Sequence, residues 1–287
     1  MGSEHTASPD ESSAAPTSVP VGEFTFRVRF DGPQDGPPVV LLHGFPTTHR
    51  SWDAVTPLLT AEGLRTIAPD QRGYSPDARP ADVADYDVEH LAGDVVGLLD
   101  ALGLETAHVV GHDWGAVVAW VTAARHPERV SRLTALSVPH PAAYSWAVRE
   151  DADQRERASY ISLLRQRGKA EHVLLDDGAR RLRAMYGDSM PDEYVEAYLD
   201  VLADPDALTA ALAWYRSMGR ELEATPAVAM PTTFVWSSSD VAIGRAGAQR
   251  CHEFVDAPYR FVEVTGSHWI PEEQPRRVAD AVLTPFD

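Results

Sequence analysis

The stretch Gly111-His112-Asp113-Trp114-Gly115 decides the fold of this chain. An apolar run at residues 107–110 precedes it, and a helical run at residues 116–120 follows it. Glycines two positions before and two after a central residue, between a strand and a helix, are typical of a nucleophile elbow. Such a turn is sharp and strained, so small flanking residues let the helix approach the strand. The pattern therefore predicts that the Asp113 side chain projects from one end of a sheet.

An aspartate at the centre of this turn predicts a different chemistry from the more common serine. A carboxylate that attacks an sp3 carbon bearing a leaving group or a strained ring forms an alkyl ester. A serine alkoxide instead attacks a carbonyl and forms an acyl ester. Asp113 thus favours substrates such as epoxides or alkyl halides. The alternative is that Asp113 only caps the following helix, a role that aspartate fills well.

Composition and charge limit what the chain can bind. Its 287 residues include 43 acidic and 25 basic side chains, which gives a net charge of −18, and 44% of the residues are hydrophobic. These values are typical of a soluble globular protein, and the excess of acid disfavours nucleic acid and anionic membranes as partners. No run of about 18 apolar residues is present, so no membrane span is predicted. The expected location is cytoplasmic.

Cysteine and histidine usage argues against metal sites and disulfides. Cys251 is the single cysteine, which excludes an intrachain disulfide. The 11 histidines show no His/Cys spacing that is typical of metal ligands. We therefore expect no metal and no cofactor.

Short apolar runs alternate with helical patterns along much of the chain. Residues 24–30 alternate apolar and polar side chains, which predicts a half-exposed strand. Buried strands are predicted at residues 39–42, 65–68, 108–110, 133–136, 233–236 and 261–264, and helices at 52–59, 88–102, 116–125 and 278–283. Buried strands separated by helices imply an α/β fold with a mostly parallel central sheet flanked by helices.

Two segments depart from this alternation. Residues 1–20 are rich in Ser, Ala, Pro and Thr, which predicts a disordered N-terminal tail. Residues 139–223 contain helical stretches but no convincing strand, and we interpret them as an all-helical cap inserted over the active face. The predicted core then comprises residues 21–138 and 224–287.

A carboxylate nucleophile also needs donors for the negative charge that develops during reaction. The turn His43-Gly44-Phe45-Pro46 directly follows the predicted strand at residues 39–42 and can aim the Phe45 N–H at the carboxylate. The N–H of Trp114, at the start of the elbow helix, supplies a second donor. Phe45 and Trp114 thus form the predicted oxyanion hole.

The base and its orienting acid are expected after the last two strands. Asp240 follows the run at residues 233–236, as an acid that orients a histidine should, although an N-cap role is the alternative. His268 lies in a glycine-bearing loop after the last strand, a position suited to a general base. The chain order Asp113, Asp240, His268 is nucleophile, acid, histidine.

Four motifs together resemble the α/β-hydrolase fold, in the branch that includes the soluble epoxide hydrolases. The matching stretches are residues 43–46, 70–75, 111–115 and 266–269, within a resemblance that runs from about residue 22 to the C-terminus. The resemblance implies that Asp113 is the nucleophile, Asp240 the charge-relay acid and His268 the base.

The same resemblance implies two proton donors in the cap. Epoxide hydrolases carry two cap tyrosines whose hydroxyls bind and protonate the epoxide oxygen, and the segments around Tyr160 and Tyr215 are similar to theirs. Each tyrosine also lies on an apolar helical stripe, so packing within the cap is the alternative.

The expected activity is that of a hydrolase acting on ether bonds. It would convert an apolar epoxide and water into a vicinal diol through a covalent ester on Asp113, as a monomer or homodimer. One alternative is a haloalkane or haloacid dehalogenase, which shares Asp113, His268 and Trp114 but lacks the paired tyrosines. The other is a non-catalytic ligand receptor on the same fold.

Overall fold

A computed structural model describes residues 15–286 of the chain. The strands in that range are β1 (Thr17–Val21), β2 (Phe24–Asp31), β3 (Pro38–Leu42), β4 (Arg65–Pro69), β5 (Ala107–His112), β6 (Val130–Leu136), β7 (Thr232–Ser237) and β8 (Tyr259–Val264). They form one sheet in the order β1-β2-β4-β3-β5-β6-β7-β8. β2 is antiparallel to β1 and to β4, and the other neighbouring pairs are parallel.

Helices connect most of these strands. They are α1 (Thr56–Thr60), α2 (Val88–Ala101), α3 (Trp114–Arg125), α4 (Pro141–Glu150), α5 (Ala152–Arg157), α6 (Ile161–Leu164), α7 (Lys169–Ala184), α8 (Asp192–Leu202), α9 (Pro205–Ser217), α10 (Arg245–Arg250), α11 (Ile270–Glu273) and α12 (Pro275–Leu283). Short 3₁₀ turns lie at His49–Trp52, Val83–Tyr86, Pro127–Arg129, Ala158–Tyr160 and Cys251–Phe254. Within residues 15–286 no helix combines the length and the apolar character needed to cross a bilayer.

The two faces of the sheet carry separate apolar clusters. Successive residues of β3 alternate between them: Val39 and Leu41 pack with α1 and α12, whereas Val40 and Leu42 pack with α2 and α3. Side chains of a strand point alternately to opposite faces, so a strand that is apolar at every position is buried on both sides. This arrangement confirms the predicted α/β fold with a mostly parallel central sheet.

The predicted tail over residues 1–20 is wrong at its C-terminal end. Residues 1–14 lie outside the described range, but Thr17–Val21 form β1, which pairs with β2 at the edge of the sheet. Val19 and Val21 point into the core, and Pro20 stands exposed between them. Proline is tolerated on an edge strand, because one side of such a strand has no ladder partner. The alternating valines, not the Ser/Pro-rich composition, determine the structure here.

Six helices, α4–α9, lie between β6 and β7 and form the helical insertion (residues 141–217). Within it, α5, a 3₁₀ turn and α6 follow one another over residues 152–164, and α9 ends at Ser217. Helix α7 is interrupted at residues 176–179, where three residues adopt left-handed backbone angles.

Buried side chains fasten the helical insertion to the core. The Tyr186 hydroxyl donates to the carbonyl of Pro46 at 2.6 Å, and the Tyr198 hydroxyl donates to Glu272 Oε1 at 2.7 Å. On the other side, the indole N–H of Trp214 donates to the carbonyl of Arg72 at 2.9 Å. Because all three donors belong to buried aromatic rings, each contact combines apolar packing with a satisfied polar group.

Glu272, the acceptor of the Tyr198 hydrogen bond, is a buried carboxyl group that has no cationic partner within the described residues. Its Oε2 atom has no hydrogen-bond partner within the described residues, and burial raises the pKa of its carboxyl from 4.5 to about 7. The folded state therefore binds a proton more tightly than the unfolded state does. Glu272 then stabilises the fold at low pH, and this contribution is lost as the pH rises from about 4.5 to about 7.

We expect Glu272→Gln to remove this pH dependence. The amide keeps an acceptor for Tyr198 but cannot ionise. The free energy of unfolding of the variant, measured relative to that of the wild type, should therefore be about 2–3 kcal/mol higher at pH 8 than at pH 5. Denaturant unfolding at the two pH values measures the change. Glu62→Gln, at an exposed glutamate, is the matched control. If the free energy of unfolding varies with pH in the same way in the wild type and in Glu272→Gln, then Glu272 ionises in the folded protein with little loss of stability, and the expectation is wrong.

Candidate active site

The turn between β5 and α3 has the geometry of a nucleophile elbow. Asp113 has φ 53° and ψ −122°, a strained conformation for a residue other than glycine. A Cβ atom on Gly111 would overlap the carbonyl of Gly115, and one on Gly115 would overlap the carbonyl of Leu42. Helix α3 therefore sits against the sheet at a distance that only glycine allows at these two positions.

The Asp113 carboxylate points away from the helix that it precedes. It makes no capping hydrogen bond to α3, so the structure does not support the alternative that Asp113 only caps this helix. Its Oδ1 atom instead accepts a 2.9 Å hydrogen bond from the Phe45 N–H. Gly44 permits this approach, because a Cβ there would lie 2.5 Å from Asp113 Oδ1. The Phe45–Pro46 peptide is cis.

Trp114, the second predicted donor, does not donate a hydrogen bond to Asp113 as Phe45 does. As the first residue of α3, its N–H has no acceptor within the helix. Among the hydrogen bonds to Asp113 within the described residues, none comes from Trp114. The Trp114 N–H thus makes no hydrogen bond to the carboxylate in the structure.

His268 lies between the two acids. Its Nε2 atom is 3.5 Å from Asp113 Oδ2, and its Nδ1 atom is 2.9 Å from Asp240 Oδ2. Asp240 Oδ1 also accepts from the N–H groups of Ala242 and Ile243, so Asp240 caps a turn and orients the histidine with the same carboxylate. All three of these side chains are buried.

Sequence reasoning missed Ser137, which follows β6. Its hydroxyl donates to Asp240 Oδ2 at 2.7 Å and lies 3.0 Å from His268 Nδ1. Ser137 has φ 68°, in the left-handed region that favours glycine. Its place at a strand end next to β7 was the available signal, but a lone serine in a loop has no motif that marks it.

The charges of the site depend on one another. Burial alone would lower the pKa of His268, but the negative charges of Asp240 and Asp113 and the hydrogen bonds to them raise it well above its ordinary value. Burial alone would raise the pKa of each acid, but the contacts with His268 lower the pKa of both Asp113 and Asp240 below the ordinary value. The resting site is therefore an imidazolium held between two carboxylates.

Two further histidines support the site without joining its charges. Gln71 N–H donates to His43 Nε2 at 3.1 Å, and His112 Nε2 donates to the carbonyl of His268 at 2.9 Å. Burial lowers the pKa of His43 and of His112 to about 4, so both rings are neutral near pH 7. His43 thus anchors the turn that carries Phe45, as a structural residue.

A cavity of about 650 Å³ adjoins Asp113 and is lined by both predicted cap tyrosines. The rings of Tyr160 and Tyr215 lie 6.4 Å apart, and the Tyr215 ring also packs edge-on against Phe45 and Trp114. Burial raises the pKa of both hydroxyls well above the ordinary value, and the charge of Asp113 raises it further. Both tyrosines are therefore protonated across the physiological range.

The cavity is large enough for a drug-sized molecule and is mainly apolar near Asp113. Val117, Val138 and Leu222 contribute to its wall. Within residues 15–286 no three His, Cys, Asp or Glu side chains are arranged to hold a metal ion. The site as described joins a buried carboxylate, an imidazole and two phenols around an apolar chamber.

Sequence comparison relates the chain to known proteins. A family model described as the alpha/beta hydrolase fold matches residues 37–275. The chain is 33% identical to Epoxide hydrolase A of Mycobacterium tuberculosis, over 94% of this chain and 97% of that protein. It is also 33% identical to the AB hydrolase superfamily protein YfhM of Bacillus subtilis, over 91% of this chain and 93% of that protein.

Solved structures give the same relationship. Epoxide Hydrolase A from Mycobacterium thermoresistibile is 30% identical and superposes with a TM-score of 0.82 over 93% of this chain and 96% of its own. An epoxide hydrolase from a hot-environment metagenome is 28% identical, with a TM-score of 0.85 over 96% of this chain and 100% of its own. The chain belongs to the alpha/beta hydrolase fold family, in the branch that contains the epoxide hydrolases.

Proposed function

We propose that this protein is an epoxide hydrolase that forms a covalent alkyl ester on Asp113. The observation that carries the proposal is the contact set of Asp113. One oxygen is bound by the Phe45 N–H, the other faces His268, and the same cavity holds two protonated tyrosines. The relatives named epoxide hydrolases support the same activity. The helical insertion then serves as the cap that closes over the substrate.

The first step is opening of the epoxide ring. Asp113 Oδ1 stays with the Phe45 N–H, so Oδ2 is the oxygen that attacks a ring carbon. The carbon–oxygen bond of the ring breaks, and its electron pair goes to the epoxide oxygen. Tyr160 or Tyr215 donates a proton to that oxygen as the charge develops. The product of this step is an ester between Asp113 and the opened substrate, beside a tyrosinate.

The second step is hydrolysis of that ester. Once Asp113 is esterified, it has lost the negative charge that helps to raise the pKa of His268, so this pKa falls. His268 then passes its proton to the tyrosinate, which restores the tyrosine and leaves a neutral imidazole that can act as a base. His268, oriented by Asp240, takes a proton from a water molecule that attacks the Asp113 carbonyl carbon. Phe45 and Trp114 N–H groups stabilise the oxyanion. The Cγ–Oδ2 bond breaks, and the diol leaves with Oδ2 as the departing alkoxide takes the proton of the tetrahedral hydroxyl. His268 keeps the proton from water and is again the resting imidazolium beside the Asp113 carboxylate.

The dehalogenase alternative requires donors that hold a departing halide ion. The cavity presents tyrosine hydroxyls, which can protonate an alkoxide, and this favours the epoxide. The predicted cytoplasmic location and the monomeric or homodimeric state stay predictions.

Replacing the base should trap the covalent intermediate. We expect His268→Gln to react with styrene oxide and to gain the mass of one substrate on Asp113, because the ester forms but no base activates water. Intact-protein and peptide mass spectrometry measure the adduct. His268→Gln combined with Asp113→Asn is the control and should gain no mass. An unmodified His268→Gln protein after exposure to several reactive epoxides would support the non-catalytic receptor alternative.

The two tyrosines should contribute to ring opening separately. We expect Tyr160→Phe and Tyr215→Phe each to lower the rate of ester formation by about 10- to 100-fold, and the double variant to lose nearly all of it. Tyr144→Phe is the matched control, because Tyr144 lines the same cavity but has no assigned role. Stopped-flow fluorescence of single turnovers measures the rate. An equal loss in the Tyr144 variant would contradict the assignment.

Ser137 should act as a positioning residue for Asp240 and His268. Because its hydrogen bond goes to a charged group, we expect Ser137→Gly to slow ester hydrolysis by about tenfold, with little change in ester formation. Glycine also relieves the left-handed backbone, which offsets part of the stability that is lost with this hydrogen bond. Separate single-turnover and thermal unfolding measurements distinguish the two effects. An unchanged hydrolysis rate would leave Ser137 with a purely structural role.

A further inference from the structure

Helix α5 of the helical insertion has a single buried side chain, and that side chain is polar. Residues 152–157 have the sequence ADQRER, which contains no large apolar residue. Gln154 is the buried residue, and it is 0% exposed. Burying an amide costs free energy unless its N–H and C=O groups are hydrogen-bonded. Gln154 therefore holds its position through specific polar partners rather than through apolar packing of its helix.

Both ends of the Gln154 amide bind one loop of the core, residues 240–244. Its Nε2 atom donates to the Ala242 carbonyl at 2.8 Å, and its Oε1 atom accepts from the Gly244 N–H at 2.8 Å. Because one partner is an acceptor and the other is a donor, a single orientation of the amide satisfies both. A Cβ atom on Gly244 would lie 2.9 Å from Asp153 Oδ2, so α5 lies directly against the loop.

The loop that Gln154 binds begins with Asp240. The Ala242 N–H donates to Asp240 Oδ1 at 2.8 Å, so Ala242 is bonded to Gln154 through its carbonyl and to Asp240 through its N–H. Arg157, three residues after Gln154, donates to the carbonyl of Asp240 itself. An ion pair with Asp153 at 2.7 Å holds the Arg157 guanidinium. Two side chains of α5 therefore hold the backbone that places the Asp240 carboxylate.

Neither of these side chains is in contact with the reaction space. Gln154 and Arg157 are not among the described residues that line the cavity beside Asp113. Their route to the reacting groups runs through Asp240, whose Oδ2 atom lies 2.9 Å from His268 Nδ1.

We propose that Gln154 and Arg157 are positioning residues for Asp240, so that the helical insertion sets the geometry of the Asp240–His268 pair as well as covering the cavity. This inference rests on the proposed function and concerns its second step. Asp113 opens the epoxide with a proton from a tyrosine, whereas Asp240 acts through His268 when water attacks the ester. A hydrogen bond weakens as its distance and angle depart from the optimum. A small shift of the loop should thus impair the base and leave ring opening largely unchanged.

Substitution of the two residues should slow the second step selectively. We expect Gln154→Met, which keeps a side chain of similar length but loses both hydrogen bonds, to slow ester hydrolysis by about tenfold and ester formation by less than about twofold. Arg157→Gln removes a half-buried side chain from the Asp240 carbonyl and should slow hydrolysis by about threefold. Stopped-flow single turnovers with styrene oxide measure the two rates separately.

Gln249→Met is the matched control. Gln249 is exposed on α10, the helix that follows the loop, so its substitution makes the same chemical change nearby without touching Asp240. We expect both rates to stay at the wild-type value in this variant. Thermal unfolding verifies that each variant is folded.

A second readout needs no substrate. The proton between His268 Nδ1 and Asp240 lies in a charge-assisted hydrogen bond and should give a low-field proton NMR signal, which is assigned by its loss in His268→Gln. We expect Gln154→Met to shift or broaden this signal, because the hydrogen bond changes with the position of Asp240. Gln249→Met should leave the signal unchanged.

The outcomes separate this inference from the proposed function. If Gln154→Met hydrolyses the ester at the wild-type rate, or if both steps slow equally, Gln154 does not position Asp240. If Gln154→Met does not fold, an unchanged hydrolysis rate and an unchanged NMR signal in Arg157→Gln would overturn the inference. If the wild type forms no ester with any epoxide, the proposed function fails. The NMR signal then still decides the positioning role, which an unchanged signal in Gln154→Met would overturn.

Discussion

Two buried carboxylates, Asp113 and Asp240, share the imidazole of His268, and the rest of the site depends on this arrangement. Burying an isolated carboxylate is costly, so each acid needs a positive or hydrogen-bonding partner. The imidazolium supplies one partner to both, at 3.5 Å and 2.9 Å. The Phe45 N–H and the Ser137 hydroxyl supply the others. The resting site is therefore stable because each buried charge has a partner of opposite charge and a hydrogen-bond donor or acceptor.

The parallel sheet explains how three distant parts of the chain meet. Asp113 follows β5, Ser137 follows β6 and Asp240 follows β7, and these strands are neighbours. Carboxyl ends of parallel strands lie at one edge of a sheet, so loops that are far apart in sequence converge there. In the mechanism that we propose, esterification removes the charge of Asp113 and thereby lowers the pKa of His268. The contact that stabilises the resting protein would then also control when the histidine becomes a base.

Much of this arrangement follows from sequence, because strand ends and glycine turns leave clear local signals. The positions of Asp113, Asp240, His268 and Phe45 were predicted from such signals, and the structure brings these residues together. Strand β1 was missed because Ser and Pro obscured two alternating valines. Ser137 could not be predicted. Its contacts depend on how neighbouring strands pack, and no periodicity in the sequence records that packing.

The fastening of the helical insertion affects how molecules reach the cavity. Tyr186 and Tyr198 bind the core on one side, and Trp214 binds it on the other, so swinging the insertion away would break buried bonds at both ends. We therefore expect substrate and product to pass through the opening between α5, α6 and the segment after α9. A fixed opening limits the width of a molecule more strictly than its length. Such an opening would admit slender compounds, which can protrude into solvent, more readily than wide ring systems.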